Sequence, residues 1–195
     1  QGKEGVFLLQ PARIVENRAL QKLQGPGENG CVIFKRFEVM ISKKMQIAIN
    51  EQINAELWSA YLYLSMSMCA ESQGLKGIAN WFYVQWLEEQ DHARILQKYM
   101  NSQNAKVILK QIDGVAVDWK SVKSMFENTL EHERSVSSMI HNIMRQAREE
   151  GDYATENVML WFVEEQVEEE ESAADILSDI EMNAFESDGR LAVRL

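Results

Sequence analysis

Proline is almost missing from this chain of 195 residues: there are two, Pro11 and Pro26, and both lie in the first 39 positions. From residue 31 onward there is none, and glycine is sparse, so nothing in that long span breaks a helix more than a few times. Cysteine is equally scarce. Cys31 and Cys69 cannot build a disulfide framework or a paired-cysteine zinc site, and their rarity fits a reducing compartment, which predicts a cytoplasmic protein. No run approaches the ~20 consecutive apolar residues needed to span a bilayer, so a membrane protein is excluded. Positive charge is also short. Against 30 Asp and Glu stand 20 Lys and Arg, a net of −10, and nucleic acid is a poor partner for such a surface.

What is present divides unevenly. Residues 1–39 hold six basic and four acidic groups, leaving 14 and 26 for residues 40–195, an acid-rich body suited to cations. The first stretch also carries the turn-rich run Gly25 to Gly30, and Met40 precedes the helical start Ile41 Ser42 Lys43 Lys44. Residues 1–39 therefore read as a leader or fusion segment. Its apolar patch, Val6 to Leu9, is too short for a secretory signal.

Beyond Met40 the punctuation predicts four long helices. The first spans about Ser42 to Ser72 and closes at Gln73 Gly74; the second spans Leu75 to Ser102. A connection over Gln103 to Val117 leads to a third helix capped by Asp118 and ending at Glu150. Gly151 Asp152 stop and restart the chain, and the fourth helix extends to about Met182. Two short turns flanking one long connection predict an all-α four-helix bundle with a crossover between helices 2 and 3, over residues 40–185, followed by a short tail, 186–195.

Helical spacing should place apolar residues on the inner stripes. In the first helix the stripe reads Met45, Ile49, Ile53, Leu57, Ala60, Leu64 and Met68, with Glu56 facing inward beside it. In the second, Gln85, Glu89 and His92 interrupt Ile78, Phe82, Leu96 and Tyr99; in the third, Glu133 lies between Phe126 and Val136; in the fourth, Gln166 and Glu169 lie between Phe162 and Ala173. An unpaired buried carboxylate costs several kcal/mol by order of magnitude. Glu56, Glu89, Glu133 and Gln166 all fall near mid-helix and so at one level of the bundle. The halves echo each other: Glu56 to Glu89 is 33 residues, as is Glu133 to Gln166, and each second member is followed at +3 by His92 or Glu169. Carboxylates from two helices with a Glu-x-x-His pair can bind two iron ions inside a bundle.

These residues resemble the prokaryotic non-haem ferritins over about residues 41–184, in Asn50 Glu51 Gln52 Ile53 Asn54 Ala55 Glu56, Glu88 Glu89 Gln90 Asp91 His92, Glu131 His132 Glu133, and Trp161 through Glu169. The resemblance implies that Glu56, Glu89 and His92 hold one iron of a ferroxidase centre and Glu89, Glu133 and Glu169 the other. It places Gln166 beside them, makes Tyr63 the neighbouring tyrosine able to donate an electron, and assigns a third iron position to Glu88, Glu165 and Glu168 together with Glu169. It implies oxidation of paired Fe(II) by oxygen or hydrogen peroxide through a bridged diferric intermediate, and storage of the Fe(III) mineral in a homo-oligomeric cage of 24 subunits. Gln166 and Glu169 break the symmetry of two Glu-x-x-His motifs, which argues against bacterioferritin and the di-iron oxidases. Haem has no support, since Met66 and Met68 read as core filling. The ten residues after Phe185 are too few for the family's long fifth helix.

Other residues read as structural. Glu170 and Glu171 belong to a solvated acidic face, His132 to the surface or an interface, and Cys69, His141, Trp81, Trp86 and Trp161 to packing or subunit contacts. Two other functions compete: a peroxide-scavenging di-iron bundle with little storage, and a non-enzymatic scaffold whose polar core fixes helix register.

Overall fold

A computed structural model describes residues 39–186, with side chains as far as Met182. Four helices account for most of it: α1 (Lys43–Ser72), α2 (Lys76–Ser102), α3 (Val122–Glu150) and α4 (Tyr153–Glu186). Helices of this length are about 45 Å long. Apart from Val39 and Glu186, the leader expected over 1–39 and the tail over 186–195 lie outside the described residues, as does Cys31. No described helix is long and apolar enough to cross a membrane.

The ends form for identifiable reasons. Ser42 caps α1, its Oγ accepting from Met45 N at 3.0 Å. Gly74, at φ 76°, and Gly151, at φ 67°, take the left-handed conformation that turns the chain back after α1 and α3. Asp152 then caps α4 by accepting from Thr155 N at 3.0 Å. Asp118 is not the cap of α3. Ser121 is, in a reciprocal box with Ser124: each hydroxyl accepts from the other's backbone N–H at 3.1 Å. The crossover thus runs three residues further than the sequence suggested.

That crossover, residues 103–121, is pinned by two asparagines of α1 whose side-chain amides imitate a strand. Asn50 accepts from Ile108 N at 2.6 Å and donates to Lys106 O at 3.1 Å; Asn54 accepts from Lys110 N at 2.7 Å and donates to Ile108 O at 2.8 Å. With the connection held along α1, α1 packs on α2, α3 packs on α4, and α1 meets α3.

Two apolar clusters fill the bundle. One contains Ile49, Ile53, Leu96, Val136, Ile140 and Phe162; the other contains Tyr63, Met66, Phe82, Phe126 and Ile180. The polar residues lie between them along every helix. On α1 the inner stripe differs from the hydropathy reading: Gln52, Glu56, Ser59, Tyr63, Met66 and Ala70 are buried, Leu57 and Leu64 are half-buried, and Met68 is 53% exposed. Met68 is therefore not core filling. The helix turns its polar 52–56–59–63 ridge inward, which leaves Leu64 about 100° and Met68 about 140° around the helix from Tyr63.

Candidate metal centre

Between the two clusters, α1 contributes Glu56, α2 contributes Glu89 and His92, and α3 contributes Glu133, all buried. One ligand atom from each of Glu56, Glu89 and His92 lies within 4.8 Å of the others. His92 Nδ1 is 3.5 Å from Glu89 Oε2, and its ring packs edge-on against Trp161 and Phe162 at 5.6 and 5.8 Å between centroids. Gln52 Nε2 donates to Glu56 Oε1 at 2.9 Å, while Glu56 Oε2 and Glu89 Oε2 have no hydrogen-bond donor although both are buried. Two orphaned carboxylate oxygens facing an imidazole fit a cation that prefers oxygen and nitrogen ligands.

The electrostatics follow from burial. It pushes the Glu56 carboxyl well above the ordinary range, with the Glu89 charge adding to the rise. Burial does the same to Glu89, and Glu133 adds to it. Glu169 is pushed up to about 8, by burial first and then by Glu133 and Glu88. Carboxyls that resist ionisation alone become good ligands once a cation supplies the missing charge.

The remaining predicted residues fall around this triad. Glu133 is held by two donors: the Tyr63 hydroxyl donates a hydrogen bond to Oε1, and Gln166 Nε2 donates to Oε2 at 3.1 Å and to the Glu133 carbonyl at 3.2 Å. Gln166 also reaches Ser137 Oγ at 3.3 Å. Burial, then the Glu133 charge, drives the Tyr63 hydroxyl well above its ordinary value. Glu169, half-buried on α4, meets Gln85 of α2 rather than His92. It lines a pocket of about 520 Å³ with Glu88, Glu165 and Glu168, the four carboxylates expected at a third position. The structure thus brings Glu56, Glu89 and His92 directly together and sets Glu133 and Glu169 beside them on other partners.

Two residues read as surface or interface positions have partners on a neighbouring helix. His132 is half-buried between α1 and α3, its Nε2 2.7 Å from Ser59 Oγ and its ring 5.3 Å from Trp58 and 6.1 Å from Tyr63. Burial lowers its pKa. Glu170 is half-buried and accepts from Ser137 Oγ at 2.5 Å, with Arg134 3.8 Å away. In both cases a neighbouring helix covers what the helix's own stripe left outside. The sequence reading assigned no role to Gln52 and Gln85. Their signal was there: each is an amide four residues before an inward glutamate, and Gln85 sits on the inner stripe itself.

Comparison with known proteins shows the family of the fold. The model for the Ferritin-like domain matches residues 46–183. A bacterial non-heme ferritin of Bacteroides fragilis is 43% identical over 141 residues, 72% of this chain and 89% of that protein. A probable bacterial non-heme ferritin-like protein of Haemophilus influenzae is 36% identical over 151 residues, 77% of this chain and 90% of that one. An open pore ferritin from the hyperthermophilic archaeon Archaeoglobus fulgidus superposes with a TM-score of 0.72 at 44% identity, over 73% of this chain and 88% of that chain.

Proposed function

Because this chain belongs to the ferritin family, we propose that it stores iron and is the ferroxidase that loads its own store. The observation that carries the reading is the buried Glu56, Glu89 and His92 triad, with two carboxylate oxygens that have no donor of their own. In this reading the triad binds one Fe(II), and Glu89 with Glu133 and Glu169 binds a second. Fe(II) is the substrate. Each ferrous ion gives up one electron, and dioxygen accepts the pair with two protons, leaving as hydrogen peroxide; peroxide can itself accept the next pair of electrons with two further protons and leave as two water molecules. The carboxylates stabilise the higher ferric charge and so favour the loss of each electron. Tyr63, hydrogen-bonded to Glu133, stands where it can supply a further electron.

Product iron then moves toward Glu88, Glu165 and Glu168 in the adjoining pocket, whose carboxylates continue the oxygen-rich path. Storage needs an enclosure, and we assign that to a homo-oligomeric cage of 24 subunits in the cytoplasm. Self-association is supported by exposed apolar residues, among them Ile47, Tyr61 and Met68 of α1, Val84 and Leu87 of α2, and Ile108 and Leu109 of the crossover.

The test loads the purified protein with repeated small additions of Fe(II) in air, separates it by size exclusion and measures iron in each fraction. Iron co-eluting with a large assembly, far in excess of two per chain, is expected. Iron that precipitates or elutes apart from the protein would contradict storage.

A further inference from the structure

Gln85 is 5% exposed, and its single amide nitrogen faces carboxylates of two helices. It donates to Glu88 Oε2 at 2.7 Å and lies 3.2 and 3.1 Å from the two oxygens of Glu169. The orientation of the amide follows from chemistry, because the opposite one would set its carbonyl oxygen against carboxylate oxygens. The amide nitrogen carries two N–H groups, one for the carboxylate of each helix, and each bond strengthens when its acceptor is ionised. Glu169, held on Gln85, is not among the side chains whose ligand atoms converge within 4.8 Å.

We propose that Gln85 is a positioning residue that ties Glu169 to Glu88 at the boundary between the buried centre and the α2–α4 pocket, so that the tie must loosen before Glu169 can ligate a second cation. The proposal rests on the two-cation reading above and deepens it. Gln85 itself neither binds iron nor touches the oxidant. Its amide sets the cost of turning Glu169 from the pocket toward Glu133, and so separates the affinity of the second cation from that of the first. With the amide gone, Glu88 and Glu169 face each other without a donor between them. At pH 8 and above, where Glu169 ionises, a cation relieves the repulsion between the two carboxylates, and nothing has to be broken to admit it.

The experiment titrates metal-free protein with Zn(II) alone, without an oxidant, and follows the heat of binding for the parent, Gln85→Met and Gln85→Leu. Met conserves the volume and removes the donor; Leu repeats the removal with a different shape, and circular dichroism verifies that each variant is helical. The expected result is a first step within twofold of the parent and a second step about tenfold tighter, the scale of one charge-assisted hydrogen bond. In a Glu169→Gln background, Gln85→Met should leave the second step unchanged, which a merely space-filling Gln85 would not require. An unchanged second step in both variants would make Gln85 filler, and a weaker one would mean that it holds Glu169 in its ligating pose; either result overturns the proposal. A parent chain that binds fewer than two Zn(II) would overturn the two-cation reading itself, and the proposal with it.

Discussion

Replacing Glu89 by glutamine should stabilise the metal-free protein while removing the proposed Fe(II) oxidation. The carboxylate is buried, has an oxygen without a donor and is opposed by Glu133 and Glu169, so its ionised form is tolerated only with a cation present. Glutamine keeps the shape and drops the charge. For Glu89→Gln we expect a thermal midpoint in chelator a few degrees above that of the parent at pH 8, with about 1–2 kcal/mol gained, and fast Fe(II) oxidation lost. A midpoint lowered by that amount would mean that the carboxylate makes favourable contacts on its own.

Glu169 sets a pH dependence of definite sign. Its pKa is raised from 4.5 to about 8 in the folded chain. Between those values the unfolded chain has released the proton and the folded chain retains it, so the unfolded state binds fewer protons and stability falls as pH rises through this window. Metal-free protein should therefore melt lower at pH 8 than at pH 5, Glu169→Gln should flatten that slope, and Zn(II) should restore the midpoint most at pH 8, where ligation no longer competes with a proton. Melting curves at four or five pH values, with and without chelator, read all three. These ionisable groups were legible in the sequence because charge at a core position needs a reason. Gln52 and Gln85 escaped a role because an amide on a helix is commonplace, and only the distances to Glu56, Glu88 and Glu169 give each its partner.

At the scale of elements, the helices follow from the lack of proline and from glycine where the chain reverses, and three of the four starts were read to within a residue or two. The start of α3 was not, because Asp118 and Ser121 are both good caps and only the reciprocal Ser124 bond decides between them. The path of the crossover was equally hidden, since it depends on Asn50 and Asn54, more than fifty positions away in sequence from the backbone they hold. Asn50→Ala removes an acceptor for Ile108 N and a donor to Lys106 O. The expected loss is about 1–2 kcal/mol, with hydrogen exchange of the Ile108 amide accelerated and exchange within α3 little changed. Equal acceleration in both would mean that the crossover and the bundle open together.

At the scale of the whole molecule, two apolar clusters enclose one polar layer, so the fold can tolerate the layer only because the clusters on either side supply the core. The same polar layer explains why hydropathy misassigned Leu64 and Met68: α1 spends part of its inner stripe on Glu56 and Ser59, and apolar residues are left outside. An exposed methionine in line with Tyr61 is then a candidate contact between subunits. Met68→Lys should keep the helical content and shift the size-exclusion profile toward small species. An unchanged large assembly would place the subunit contact on another face.

The most direct test of the proposed metal centre is its stoichiometry. Fe(II) is added without oxygen to the metal-free protein, air is admitted, and absorbance is followed in the ultraviolet and visible for the parent and for His92→Ala, with circular dichroism to verify that both are helical. A fast phase that saturates near two Fe(II) per chain in the parent and is slowed at least tenfold in His92→Ala is the result predicted here. Oxidation in the parent no faster than in a protein-free solution, or equal rates in parent and His92→Ala, would contradict the assignment of Glu56, Glu89 and His92 as the iron-oxidising centre.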